Sequence, residues 1–168
     1  MSFKYSEDNQ KKIEEILKKY PVKKPAVMPL LWLAQEQNGW ISGEVMSEVA
    51  DILEMTKEEV LGIVTFYTMY FQKPMGKNHI QVCTNVSCML RGGYEIFDKV
   101  KEKLGINNME VTDDKKFSLE EVECMGSCGT APMIAVNEDY FENLTLEKVD
   151  EIINSLSPSL SKGKGAAV

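Results

Sequence analysis

All four cysteines of this 168-residue chain fall into two tight pairs, Cys83-Thr84-Asn85-Val86-Ser87-Cys88 and Cys124-Met125-Gly126-Ser127-Cys128. A C-x4-C turn and a C-x3-C turn can each aim two sulfurs at one place. Together they supply the four thiolates that a tetrahedral metal site or an iron-sulfur cluster requires. Disulfides are disfavoured, because Met1 is followed by Ser2, Phe3 and Lys4 and then by charged residues, with no apolar secretory segment to take the chain into an oxidising compartment. On spacing alone a structural zinc staple and an iron-sulfur cluster stay level. Against zinc, neither pair has the compact two-residue knuckle, and the chain is long enough to fold without a staple.

Composition narrows the partners. With 43% apolar residues the chain has the makings of a packed core, and its formal net charge of -7 opposes a nucleic-acid backbone as partner. The longest apolar run, residues 26–34, is interrupted by Pro29. It falls far short of the roughly 20 residues that cross a bilayer, so direct membrane contact is not expected.

The pattern along the chain changes near Pro74. Ser6 reads as a helix cap ahead of Ile13, Ile16, Leu17 and Tyr20, which share one helical face, and Pro21 stops that helix. Val27 to Gln37 is apolar nearly all round, as a helix buried on several sides would be, and Asn38-Gly39 ends it. Ser42 caps a third helix, and Thr56-Lys57-Glu58-Glu59 fits a capping box for a fourth. Residues 65–71 read as an extended or irregular connection. After Gly76 the period switches: Ile80 and Val82 alternate into Cys83, and Leu90, Tyr94, Phe97, Val100 and Leu104 predict one long helix closed by Gly105. That reading puts Cys88 at the positive end of a long helix, where its thiolate is favoured. Strands are expected at residues 109–112, 117–122 and 133–136, and Val149, Ile152, Ile153 and Leu156 mark a last helix. The expected fold is a thioredoxin-like α/β domain preceded by an all-α helical bundle: residues 1–75 the bundle, 76–157 the α/β domain, and 158–168 a flexible tail.

The residues around the cysteines, Gly76 to Gly93 and Glu123 to Pro132, together with Gly62 to Thr68 upstream, resemble the thioredoxin-like [2Fe-2S] ferredoxin family. The likeness is strongest to its E-type branch, from the peripheral arm of bacterial NADH:quinone oxidoreductase (respiratory complex I). It runs from about Met28 to about Leu156, and the family's cysteine pattern is complete. It implies one [2Fe-2S] cluster held by Cys83, Cys88, Cys124 and Cys128. It also implies a partner, the F-type flavin- and NADH-binding subunit, which carries the FMN and NADH while this chain takes an electron from the reduced flavin. The place implied is cytoplasmic, peripheral to the inner membrane through the complex.

Such a cluster is a small anion that grows more negative on reduction, so its loops need donors. Gly92, Gly93, Gly126 and Gly129 let backbone N–H groups turn toward sulfur, and Thr84, Ser87, Ser127 and Thr130 offer hydroxyls. Each has a plainer role as a turn or packing residue. His79 reads as an ordinary strand residue, since thiolates already fill the coordination sphere, and Glu120, Glu121 and Glu123 read as a solvated edge. No dinucleotide fingerprint, thiol-redox Cys-x-x-Cys or nucleophile-base set is present, so the chain is expected to carry electrons as a non-catalytic subunit. The matching chain of an NAD-linked hydrogenase or formate dehydrogenase is the nearest alternative, and a zinc-stapled interaction module without redox role is the alternative of another class. The helical bundle, rich in aromatics at Trp32, Trp40, Phe66, Tyr67, Tyr70 and Phe71, is expected to dock the partner.

Overall fold

The computed structural model describes residues 2–156, and its chain divides into two compact units between Pro74 and Met75. The tail expected at 158–168 lies outside the described residues.

The first unit is helical: α1 Glu7–Leu17, α2 Val27–Asn38, α3 Gly43–Leu53 and α4 Lys57–Phe66, with a 3-10 turn at Lys24–Ala26 before α2. Side chains close the helix ends where the sequence placed them. Ser6 and Ser42 accept from the N–H groups of Asn9 and Val45, Gly39 ends α2 at φ 82°, and Thr56 and Glu59 form a complete capping box. These contacts satisfy N–H and C=O groups that the helix interior leaves unpaired. Leu30, Leu31, Val45, Val49, Leu53, Val60 and Val64 fill the core. The segment after α4 forms no strand, yet it is anchored: Gln35 donates to Met69 O at 2.8 Å and accepts from Phe71 N at 2.7 Å. Tyr70 donates its hydroxyl to Met28 O at 3.0 Å.

The second unit carries a thioredoxin-like mixed sheet of order β2-β3-β1-β4-β5. Its strands are β1 Asn78–Cys83, β2 Glu110–Val111, β3 Phe117–Val122, β4 Ile134–Val136 and β5 Asp139–Phe141. Central β1 runs parallel to β3 and antiparallel to β4, and its register ends on Cys83 opposite Val122. Alternation along β1 sends Ile80 and Val82 into one core with α6 Gly93–Leu104 and α7 Leu146–Leu156. His79, Gln81 and Cys83 take the opposite face.

Two expectations need correction. The single long helix is two pieces, a short α5 Val86–Met89 and α6, separated by Gly92 at φ 90°. Leu90 and Tyr94 matched the helical spacing, but Leu90 lies between the pieces at 77% exposure, and the buried face of α6 is Gly93, Ile96, Phe97 and Val100. The structure also adds β5, paired to β4 across a two-residue turn with Asn137 at φ 55°. Among the described residues no helix is long and apolar enough to cross a membrane.

Candidate metal centre

Both cysteine loops leave the same end of the sheet. The first begins where β1 stops: Cys83 N donates to Met133 O at 3.3 Å and Thr84 N to Val122 O at 3.1 Å. Asn85 then caps α5, its side-chain oxygen accepting from Val86 N at 2.8 Å, and this turn carries Cys88 into the interior. Gly93 makes the close return possible. A Cβ built there would lie 2.9 Å from the Cys83 carbonyl oxygen and from the Cys88 carbonyl carbon and oxygen, all of them backbone atoms.

The second loop follows β3. Gly126 turns at φ 87° and donates its N–H to Cys124 Sγ at 3.4 Å. Cys128 opens a 3-10 turn that ends at Thr130, and a cis Ala131–Pro132 bond leads into Met133 and β4. Tyr140 on β5 donates to Met125 O at 3.1 Å, so the unexpected strand helps to hold this loop.

Side chains lace the loops together. Thr84 donates to Glu121 at 2.8 Å and Asn85 to Glu123 at 2.5 Å, tying the first loop to the chain that leads into the second. These glutamates are therefore not a bare solvated edge. Glu120 also has fixed partners, His79 Nε2 at 2.9 Å and Gln81 Nε2 at 3.0 Å, while His79 Nδ1 meets Ser118 Oγ at 2.8 Å. Asn85 was not among the expected site residues, and Glu121 and Glu123, expected as a solvated edge, belong to the site as its partners. The one signal available was the parallel register that sets β1 beside β3, and it appears only once the strands are paired.

The four sulfurs share this neighbourhood as two pairs. Cys83 and Cys88 are buried, at 3% and 2% exposure, and pack with Ala131, Met133 and Met125. Cys124 and Cys128 are exposed, their sulfurs 3.3 Å apart. Burial, and next a hydrogen bond with Cys83, pushes the Cys88 thiol up to about 11, with Cys128 adding to the rise. The helix-end lowering expected for Cys88 is thus outweighed, because α5 has only four residues and gives little dipole, while desolvation penalises the thiolate. The Gly126 N–H, and then the bond to Cys128, lowers Cys124; the bond to Cys124 in turn raises Cys128.

The other candidates divide. Gly126 donates its N–H to Cys124, and the Ser87 hydroxyl acts on Cys128 in the lowering direction, though it is outweighed there by Cys124. Thr84 bonds Glu121, Ser127 donates to Glu142, and Thr130 donates to Ser127 O. Gly92 supplies the turn between α5 and α6, Gly93 the close approach, and at Gly129 a Cβ would meet nothing within 4 Å.

This donor set, four cysteines in two pairs, fits a binuclear iron-sulfur core. One zinc draws four ligands to one point, whereas two irons bridged by sulfide take two thiolates each. The four cysteines stand as a buried pair, Cys83 and Cys88, and an exposed pair, Cys124 and Cys128, whose sulfurs are 3.3 Å apart.

Residues 13–157 match the family model described as thioredoxin-like [2Fe-2S] ferredoxin. Among curated relatives, the E subunit of NADH-quinone oxidoreductase from Rickettsia bellii is 49% identical over 158 residues, covering 92% of this chain and 95% of its own length. The mitochondrial NADH dehydrogenase [ubiquinone] flavoprotein 2 of Dictyostelium discoideum is 44% identical over 160 residues, 91% of this chain and 65% of that protein. Among solved structures, an NAD+-reducing [NiFe]-hydrogenase in the H2-reduced state matches with a TM-score of 0.71 at 16% identity. That match covers 83% of this chain and 24% of the hydrogenase chain, a likeness of fold alone.

Proposed function

The chain belongs to the thioredoxin-like [2Fe-2S] ferredoxin family, and on that premise we propose that it is the electron-carrying E-type subunit of an NADH-quinone oxidoreductase. It holds one [2Fe-2S] cluster on Cys83, Cys88, Cys124 and Cys128. The observation that carries this reading is the gathering of all four cysteines at one end of the sheet as two sulfur pairs. The 49% identity to the Rickettsia bellii protein, over nearly the whole of both chains, favours the quinone-reducing complex over a hydrogenase, which shares only the fold.

Bound there, the cluster supplies a one-electron store. The chain's own residues hold and shield it. The buried pair and Met133 keep water from one side, while the Gly126 N–H meets thiolate charge at the exposed pair. Cys124 and Cys128, being exposed, would leave a bound cluster within reach of a redox partner. That partner is the F-type subunit, with FMN and NADH bound to it, so this chain works without a substrate site of its own. The complex stands at the cytoplasmic face of the membrane, and this chain is peripheral to it.

Docking falls to the helical unit. Phe66 is 76% exposed there, with Tyr67 stacked edge-on against it and Trp32 partly uncovered, and aromatics of this kind anchor interfaces. Tyr70, by contrast, is buried in the unit's own core.

Anaerobically purified protein should contain about two irons and two acid-labile sulfides per chain. Each of Cys83→Ala, Cys88→Ala, Cys124→Ala and Cys128→Ala should lose the visible charge-transfer absorption, wholly or in large part. Stoichiometric zinc, or three single variants with unchanged spectra, would refute the assignment. Co-purification with a flavoprotein and not with the large chain of a hydrogenase tests the complex.

A further inference from the structure

The two cysteine pairs differ in a way that the cluster does not require. Cys83 and Cys88 are buried behind Ala131 and Met133, whereas Cys124 and Cys128 are both exposed. The exposed sulfurs lie 3.3 Å apart. A disulfide needs about 2.0 Å, so a small adjustment of the loop brings them to bonding distance. Gly126, at φ 87° in the middle of the loop, holds the left-handed backbone turn that folds the loop back on itself, a conformation open to glycine.

We propose that in the cluster-free chain Cys124 and Cys128 form a reversible disulfide on meeting a peroxide while Cys83 and Cys88 stay reduced, so that oxidation gates cluster loading. The gating consequence rests on the ligand assignment above; the disulfide itself does not. The chemistry balances. One exposed thiol is oxidised by hydrogen peroxide to a sulfenic acid, releasing one water. The neighbouring sulfur then attacks it, forming the S–S bond and releasing a second water. Both thiol protons leave in those waters, and two electrons pass to the peroxide. A dithiol reductant reverses the product by thiol exchange. Proximity favours the disulfide over further oxidation, because the resolving thiol already touches the oxidised sulfur. Burial withholds the other pair from the oxidant. The disulfide removes two of the four thiolates, and the chain cannot take up a cluster until it is reduced.

The sequence makes the test clean. Trypsin cuts after Lys77, Arg91, Lys116 and Lys148, which places Cys83 and Cys88 in one peptide, residues 78–91, and Cys124 and Cys128 in another, residues 117–148. Full-length cluster-free protein is treated with about one equivalent of hydrogen peroxide, alkylated, digested and weighed. The peptide 117–148 should resist alkylation and be lighter than its reduced form by about two hydrogen masses, reverting with dithiothreitol. The peptide 78–91 should take two alkyl groups. Oxidation of 78–91 as fast as of 117–148, a bridge between the two peptides, or sulfinic acid in place of the disulfide would overturn the proposal. Ferrous iron and sulfide are then added to oxidised and reduced samples. The reduced chain should develop its visible absorption and the oxidised chain less than about a tenth of it until dithiothreitol is added. Equal colour in both overturns the gate. A reduced chain that stays colourless counts against the cluster assignment alone, and the peptide map still decides the disulfide.

Discussion

Two glycines beside the cysteines are alike in sequence and opposite in circumstance. At Gly93 a Cβ would press on the Cys83 and Cys88 backbone at 2.9 Å, and backbone cannot swing aside. Gly93→Ala should therefore cost about 1–3 kcal/mol of stability and accelerate loss of the cluster. At Gly129 there is open space, and Gly129→Ala should stay within about 0.5 kcal/mol. Thermal melts and the decay of visible absorption measure both; equal effects at the two positions would show that the close approach does not matter. Glu120 gives a pH signature. Burial alone would push its carboxyl up, but donation from His79 and Gln81 prevails and holds it below its ordinary 4.5. A carboxylate depressed in the folded state adds stability that is present above its unfolded value and fades as pH falls through the folded one. Glu120→Gln should then lower the melting temperature near neutrality, with the gap to the parent narrowing below about pH 4.5. A gap that is constant or widens with acid would exclude this pairing as its source.

Helix ends were the most legible elements. Caps are local chemistry, a hydroxyl meeting an N–H three residues on or, in the box, a carboxylate meeting one three residues back, so Ser6, Ser42 and the box of Thr56 and Glu59 could be placed from spacing alone. Thr56→Ala should cost about 1 kcal/mol, read as a lower denaturant midpoint, whereas Thr56→Ser should recover most of it. The break at Gly92 was hidden because Leu90 and Tyr94 keep a helical interval across it; only their exposure reveals that the interval was incidental. Strand β5 was missed because it has three residues, none fully buried, and no periodicity to read. The cysteines were legible as a set, since their type and spacing carry the chemistry. Their division into a buried and an exposed pair was not, because burial is settled by Met133 and Ala131, which come from elsewhere in the chain.

At the scale of the whole molecule, each unit has a core of its own, one built on α2, α3 and α4 and the other on the sheet with α6 and α7. A chain beginning at Met75 should therefore keep a reducible cluster yet fail to capture the flavin-carrying partner in a pull-down. Equal capture would move docking onto the sheet unit, and loss of colour would mean that the units fold as one.

The central position of β1 bears on how the protein comes to be folded at all. Its neighbour β3 joins it in parallel through partners such as His79 and Ser118, 39 residues apart, and β4 follows later still. During synthesis the helical unit, built from short-range turns, can settle as it emerges, but β1 waits unpaired until β3 has left the ribosome and gains its second neighbour only with β4. For that interval the first cysteine pair exists without the second, so the metal site is among the last features of the chain to be assembled.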